Sequence, residues 1–222
     1  MRRVAAFGGT FDPVHAGHVR AAQHAVAALA LDTVLFVPAG RPPHKLGDPM
    51  SPFCHRFAML ALATRHEEHF VVSDLEMNVD GPTYTVETLR RLRASFAAER
   101  LFFLLGSDSF AQIETWRRWQ ELPELATLVV FRRPRVWGEE LRAAVPAVLR
   151  ERLIVLGAAG TPADDVPEGC IVLLENEPVD VSATELRRLL RDGEAYPAGV
   201  DPLVVSYARK HRLYDGRGDD GR

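Results

Sequence analysis

Two histidines three residues apart, His15 and His18, stand behind the turn Gly8-Gly9-Thr10-Phe11-Asp12-Pro13. Imidazolium or imidazole N–H donors in such a place can stabilise charge that grows on phosphoryl oxygens. The short apolar run Val4-Ala5-Ala6-Phe7 precedes the turn and reads as a strand. Val19, Ala22, Val26 and Leu29 follow it at helical spacing. A strand-to-helix junction of this kind aims backbone N–H groups and the positive end of a helix dipole at one spot, which suits a phosphate. Gly8 and Gly9 let a ligand approach the backbone closely. A metal pair would need a third ligand, and none is evident nearby. Capping of the helix start is the structural alternative for both rings, and phosphate contact is the favoured reading. Asp12, between Phe11 and Pro13, reads as a turn-shaping residue.

Other candidate residues fall at similar junctions. Gly106-Ser107-Asp108-Ser109 follows the buried run 101–105; a carboxylate at 108 can accept both hydrogens of a ribose diol, or it can cap a helix. Pro82-Thr83-Tyr84-Thr85 precedes a helix from about Val86, with Thr83 or Thr85 as its cap, and free N–H groups there can hold a carboxylate. Trp116 and Trp119 are three apart; they read either as a helix face on the core or as a ring for stacking on a heteroaromatic base. Ser182 with Glu185 makes a capping box, and Arg187 adds a cation to a second helix start, the set that suits a triphosphate tail. Pro42-Pro43-His44-Lys45 is either a solvated basic turn or a loop that brings His44 and Lys45 over phosphates.

The elements that must position these residues alternate along the chain. Apolar runs predict strands over 3–7, 33–37, 70–73, 101–105, 127–131, 153–156 and 171–174. Helical periodicity predicts helices over 16–30, 53–66, 84–97, 108–121, 138–150, 183–192 and 202–212. Continuous apolar strands such as Leu101-Phe102-Phe103-Leu104-Leu105 imply burial on both faces. The fold class is α/β: a doubly wound, mostly parallel sheet whose ligands bind beyond the carboxyl ends of the strands. One domain over 1–214 and a disordered tail over 215–222 are expected. The loop from Gly157 to Gly169 is rich in Gly, Pro and Asp.

Composition narrows the partners. A net charge of −3 over 222 residues gives no footprint for nucleic acid. Only Lys45 and Lys210 are lysines, which leaves 25 of the 27 basic residues as arginine. Arginine abundance is therefore a bias of composition, and each Arg needs positional support. Cys54 and Cys170 do not suggest a disulfide framework. Met1-Arg2-Arg3 precedes only four apolar residues, too short for a signal core, and no run approaches a membrane span, so the cytoplasm is the expected compartment. A homo-oligomer is compatible with the sequence.

A P-loop would need Gly-Lys-Ser/Thr after its glycines, and a dinucleotide fingerprint an acidic residue near the end of the second strand, where Pro38-Ala39-Gly40 stands instead. The segment His15-Ala16-Gly17-His18 behind Gly8–Pro13 resembles the nucleotidyltransferase superfamily with the His-x-Gly-His motif. With Pro42–Lys45, Pro82–Thr85, Gly106–Ser109, Thr115-Trp116, Arg132-Arg133-Pro134 and Ser182-Ala183-Thr184-x-x-Arg187 in order, the chain resembles the bacterial nicotinate-nucleotide adenylyltransferases from Val4 to Tyr214. The resemblance implies a Rossmann-like nucleotidyltransferase topology and adenylyl transfer from ATP to nicotinate mononucleotide (NaMN) in NAD biosynthesis. It implies ATP contacts at Gly8, Gly9, Thr10, His15, His18, Gly106, Asp108, Ser182 and Arg187, with His18, His15 and Arg187 catalytic. It implies NaMN contacts at His44, Lys45, Tyr84, Thr85, Trp116 and Arg133. Mg²⁺ would come with ATP and need no dedicated protein ligands. Sister transferases acting on NMN or 4′-phosphopantetheine, and a regulatory module without catalysis, are the rivals.

Overall fold

The computed structural model describes residues 1–43, 49–97, 99–133, 138–156 and 166–215. Seven strands occupy the predicted places: β1 (Arg3–Gly9), β2 (Thr33–Pro38), β3 (Phe70–Val72), β4 (Arg100–Gly106), β5 (Thr127–Phe131), β6 (Leu153–Leu156) and β7 (Ile171–Leu174). They form one sheet in the order β3-β2-β1-β4-β5-β7-β6, every pair parallel. The helices are α1 (Ala16–Leu29), α2 (Phe53–Ala63), α3 (Thr85–Ser95), α4 (Ser107–Phe110), α5 (Leu122–Leu125), α6 (Glu139–Ala144), α7 (Ala183–Arg191) and α8 (Pro202–Lys210).

Alternate residues of each strand enter two different cores, which is why the strands read as unbroken apolar runs. Ala5, Phe7, Phe36, Phe102, Leu104 and Val129 pack under Ala22 and Leu29 of α1, Leu60 of α2 and Val205 of α8. Val4, Ala6, Val37, Leu101, Phe103 and Val130 pack on the other face under Val86 and Leu89 of α3, Ile113 and Leu141. The register levels the carboxyl ends of neighbours: Gly9 stands beside Pro38, and Gly106 beside Phe131. The order reverses between β1 and β4, so their carboxyl ends diverge into the crevice where such sheets take ligands.

Two predicted helices are broken. The stretch 108–121 holds α4 and two 3-10 turns, Ile113–Thr115 and Trp119–Glu121. Trp116 between them is extended and Arg118 is left-handed at φ 53°. Trp116 and Trp119 therefore do not share a helix face. The stretch 138–150 stops at Ala144 because Val145 precedes Pro146; it takes the extended conformation that proline imposes, and a 3-10 turn continues over Ala147–Arg152. Of the expected tail, all but Asp215 lies outside the described residues, as do 157–165 of the Gly157–Gly169 loop. Among the described residues no helix is long and apolar enough to cross a membrane.

Candidate active site

A cleft of about 1240 Å³ opens at the carboxyl ends of β1 and β4. It exceeds the ~300–1,000 Å³ common for one small ligand, which leaves room for two nucleotides. Gly8, Gly9, Thr10, His15 and His18 line one wall. Gly106, Asp108 and Arg133 line the next, and Tyr84, Thr85 and Trp116 a third. Residues Asp180 to Leu186 close the rim.

His15 caps α1 in an extended conformation, and its backbone N–H donates to His18 Nδ1 at 3.2 Å. That bond fixes the tautomer. Nδ1 accepts, so the ring is neutral and its proton sits on Nε2 as a donor. Burial pushes His18 well below the usual imidazole range, with His15 and the Arg133 cation adding to the effect. Burial and then Arg133 push His15 down to about 3. The rings lie 3.8 Å apart at 35°, and Phe11 meets His18 edge-on at 5.0 Å. His15 Nδ1 is buried and finds no hydrogen-bond partner among the described residues. Of the imidazolium and imidazole forms, the His15 N–H bond to Nδ1 together with burial favours the neutral one at His18, and burial favours it at His15.

The same shifts make stability depend on pH. Between pH 3 and 6.5 the unfolded state binds more protons at His15 than the folded state, so stability rises with pH there and is lost on acidification. Moving from pH 7 to pH 5 is expected to cost about 2 kcal/mol through His15 alone. Urea unfolding at pH 7 and pH 5 should show at least this fall, and His15→Gln should remove the His15 share while the share of the buried His18 remains. A wild-type stability that does not change over that interval would contradict neutral burial.

Asp12 does no visible work in the cleft. Its carboxylate accepts from Ser51 N–H at 3.0 Å and from Tyr214 O–H at 2.7 Å, and its carbonyl accepts from Arg187 Nη1 at 2.6 Å. Arg56, fully buried in α2, donates to the carbonyls of Ser51, Thr10 and Ala39 at 2.8, 2.9 and 2.7 Å. It ties the β1 and β2 loops to α2, a role unassigned at the sequence level. The available signal was an arginine at the helical spacing of Met59 and Leu60, on the apolar face.

At the end of β4 a side chain in place of Gly106 would collide with Asp108 Oδ1 and meet Arg133 Nε at 3.0 Å. Asp108 is exposed, and its Oδ1 accepts from Ser109 N–H at 3.0 Å. Arg133 is held by its backbone N–H, which donates to Ser107 Oγ at 3.0 Å, and by its guanidinium lying 5.2 Å over Phe131. It stands beside Gly17 and the two histidines and lines the same cleft as Tyr84, Thr85 and Trp116.

The third wall is built on α3. Tyr84 is the cap residue, with no side-chain cap bond; Glu87 and Thr88 N–H both donate to its carbonyl, so the amides of Thr85 and Val86 come before the helix's own ladder. The proposed threonine caps are therefore absent, and Thr83 Oγ1 accepts from Arg41 N–H instead. Two further lining residues, Arg117 and Glu76, shape this wall and had no role assigned from the sequence. Arg117 lays its guanidinium 4.7 Å over the Tyr84 ring. Glu76 is buried, accepting from Gly40 N–H at 2.9 Å and from Thr88 Oγ1–H.

At the rim Ser182 caps α7, its Oγ accepting from Glu185 N–H at 3.2 Å. The reciprocal half of the box is replaced, since the Glu185 carboxylate pairs with Arg188. Arg187 is not among the cleft-lining residues; besides Asp12 it donates to Thr184 Oγ1 at 3.2 Å. His44 and Lys45 lie outside the described residues. Among the described residues no three His, Cys, Asp or Glu side chains group as metal ligands.

The cytidylyltransferase-like family model matches residues 6–189. A "Probable nicotinate-nucleotide adenylyltransferase" of Thermus thermophilus is 39% identical over 212 residues, covering 96% of this chain and 99% of that protein. The protein of the same name from Solibacter usitatus is 37% identical over 214 residues, covering 96% and 100%. Among solved structures, the Plasmodium falciparum nicotinic acid mononucleotide adenylyltransferase complexed with NaAD superposes with a TM-score of 0.73 over 98% of this chain and 99% of that one. At 18% identity that likeness speaks for the fold. Fold, histidine motif and relatives agree: the chain belongs to the cytidylyltransferase-like family and, within it, to the nicotinate-nucleotide adenylyltransferases.

Proposed function

We propose that the cleft transfers the adenylyl group of ATP to NaMN. A phosphate oxygen of NaMN attacks the α-phosphorus of ATP, the bond from that phosphorus to the bridging oxygen breaks, and pyrophosphate leaves. Nicotinate adenine dinucleotide is the other product. The carrying observation is one continuous cleft that joins the His15/His18 helix start to Asp108 on one side and to Trp116 with the α3 start on the other. The NaMN phosphate is already ionised, so no general base is required, and catalysis rests on positioning and charge stabilisation. His18 Nε2–H donates to the α-phosphoryl oxygens. Asp108 holds the ribose diol, Arg133 adds charge beside the phosphates, and Ser182 with α7 receives the triphosphate tail. Trp116 stacks on the pyridine ring. Magnesium belongs to the ATP substrate and supplies charge neutralisation on its phosphates.

Arg187 does not itself line the cleft but stands behind Ser182 and Thr184, which do, and we assign it the leaving pyrophosphate through donors not used by Asp12 and Thr184. Arg187→Lys keeps the charge and loses the planar fork, so kcat/KM for ATP is expected to fall about tenfold or more. Should Arg187→Lys be silent and Arg187→Ala change only thermal stability, the residue is structural.

Pyrophosphate release from ATP, compared with NaMN, NMN and 4′-phosphopantetheine as acceptors, tests the reaction class. Rapid release with NaMN and none with phosphopantetheine is expected, since pantetheine offers no ring to Trp116. Release with phosphopantetheine alone would overturn the assignment, and no release with any acceptor would favour a non-catalytic nucleotide-binding role.

A further inference from the structure

The C-terminal end of the chain reaches the phosphate loop. Tyr214 is buried, follows α8 by four residues, and lies 202 residues from Asp12 in sequence. Its hydroxyl donates to Asp12 Oδ1 at 2.7 Å and also approaches Met59 Sδ at 3.8 Å. Asp12 Oδ2 takes Ser51 N–H, and its carbonyl takes Arg187 Nη1. One residue of the Gly8–His18 loop thus joins α7, the approach to α2, and the end of the chain. α8 is itself seated on α2: Val204, Val205 and Ala208 are buried, His55 Nδ1 and Tyr207 Oη lie 2.9 Å apart, and Asp201 pairs with Arg65 at 2.6 Å.

Resting on the adenylyl-transfer reading, we propose that Tyr214 is a positioning residue for that reaction: by holding Asp12 it fixes the carbonyl on which the Arg187 guanidinium is mounted, and so the grip on the triphosphate. A buried carboxylate deprived of one of its two donors must turn to find another. Asp12 has no solvent to turn to, being 4% exposed, so the loop moves with it and Arg187 loses its mount. The effect belongs to the ATP half of the cleft. The walls at Tyr84, Thr85 and Trp116 make none of these bonds.

Tyr214→Phe keeps the ring and removes only the hydroxyl. Steady-state kinetics should show kcat/KM for ATP reduced about tenfold, as for loss of one hydrogen bond to a charged group, with KM for NaMN within about twofold. In an Arg187→Lys background the same change should cost far less, because both act through one mount. A variant that melts earlier but keeps wild-type kcat/KM for ATP, or a fully additive pair, would overturn the proposal. Where Tyr214→Phe does not fold, Asp12→Asn reads the same link from its other end and should show the same selective loss for ATP. Failure of both variants to fold would make the contact purely structural and overturn the proposal as well. Absence of transfer in the wild-type enzyme would instead refute the reaction on which this rests.

Discussion

Replacing His18 with alanine is expected to lower kcat roughly 100- to 1,000-fold, as loss of one preorganised donor does, while KM for ATP changes much less. The structure supplies the preorganisation. His15 N–H occupies Nδ1, which leaves Nε2–H as the fixed donor, and Phe11 holds the ring edge-on. With Nδ1 accepting from His15 N–H and burial disfavouring the charged ring, Nε2–H donates without the ring first gaining a proton. Charge on the phosphoryl oxygens grows only in the transition state, so the loss should fall on kcat. His18→Gln restores a donor without the tautomer lock and should recover part of the rate. A His18→Ala enzyme within threefold of wild-type kcat would remove His18 from the mechanism.

The second large effect concerns the acceptor. kcat/KM for NaMN is expected to exceed that for NMN by at least about 100-fold, because an amide must leave a hydrogen bond unmade where a site offers only donors. Those donors are the Thr85 and Val86 amides ahead of the α3 ladder, reinforced by the helix dipole. Arg117 over Tyr84 adds a cation to the same wall, while the nearby Glu76 carboxylate is already engaged by Gly40 and Thr88. Trp116 is indifferent to the ring substituent. Trp116→Ala should therefore weaken both substrates by a similar factor and leave their ratio largely intact. Comparable efficiencies for NaMN and NMN in the wild-type enzyme would refute this pocket and leave adenylyl transfer standing.

What was legible in the sequence was what local patterns encode. All seven strands are visible as apolar runs because a parallel sheet covered on both faces makes every strand position apolar. The His15–His18 junction is visible because strand, glycine turn and helix start are contiguous. The stretch 108–121 misled because its spacing is helical, whereas the breaks at Trp116 and Arg118 are set by tertiary packing; Pro146 was a local signal that its helix would stop at the preceding residue. Arg133 was legible as a motif member, but its place beside the histidines depends on sheet order, which no local pattern encodes. Arg56 reaches Thr10 and Ala39, Glu76 reaches Thr88, and Tyr214 reaches Asp12, partners 12 to 202 residues away, a separation that no spacing rule reaches.

The central claim is that this cleft joins ATP to NaMN through the α-phosphorus, and the fate of that atom tests it most directly. With ATP radiolabelled at the α-phosphorus, the account predicts that label moves into nicotinate adenine dinucleotide in step with NaMN consumption, one pyrophosphate appearing per product formed. Label that ends in AMP or ADP, with NaMN left unconsumed, would contradict it.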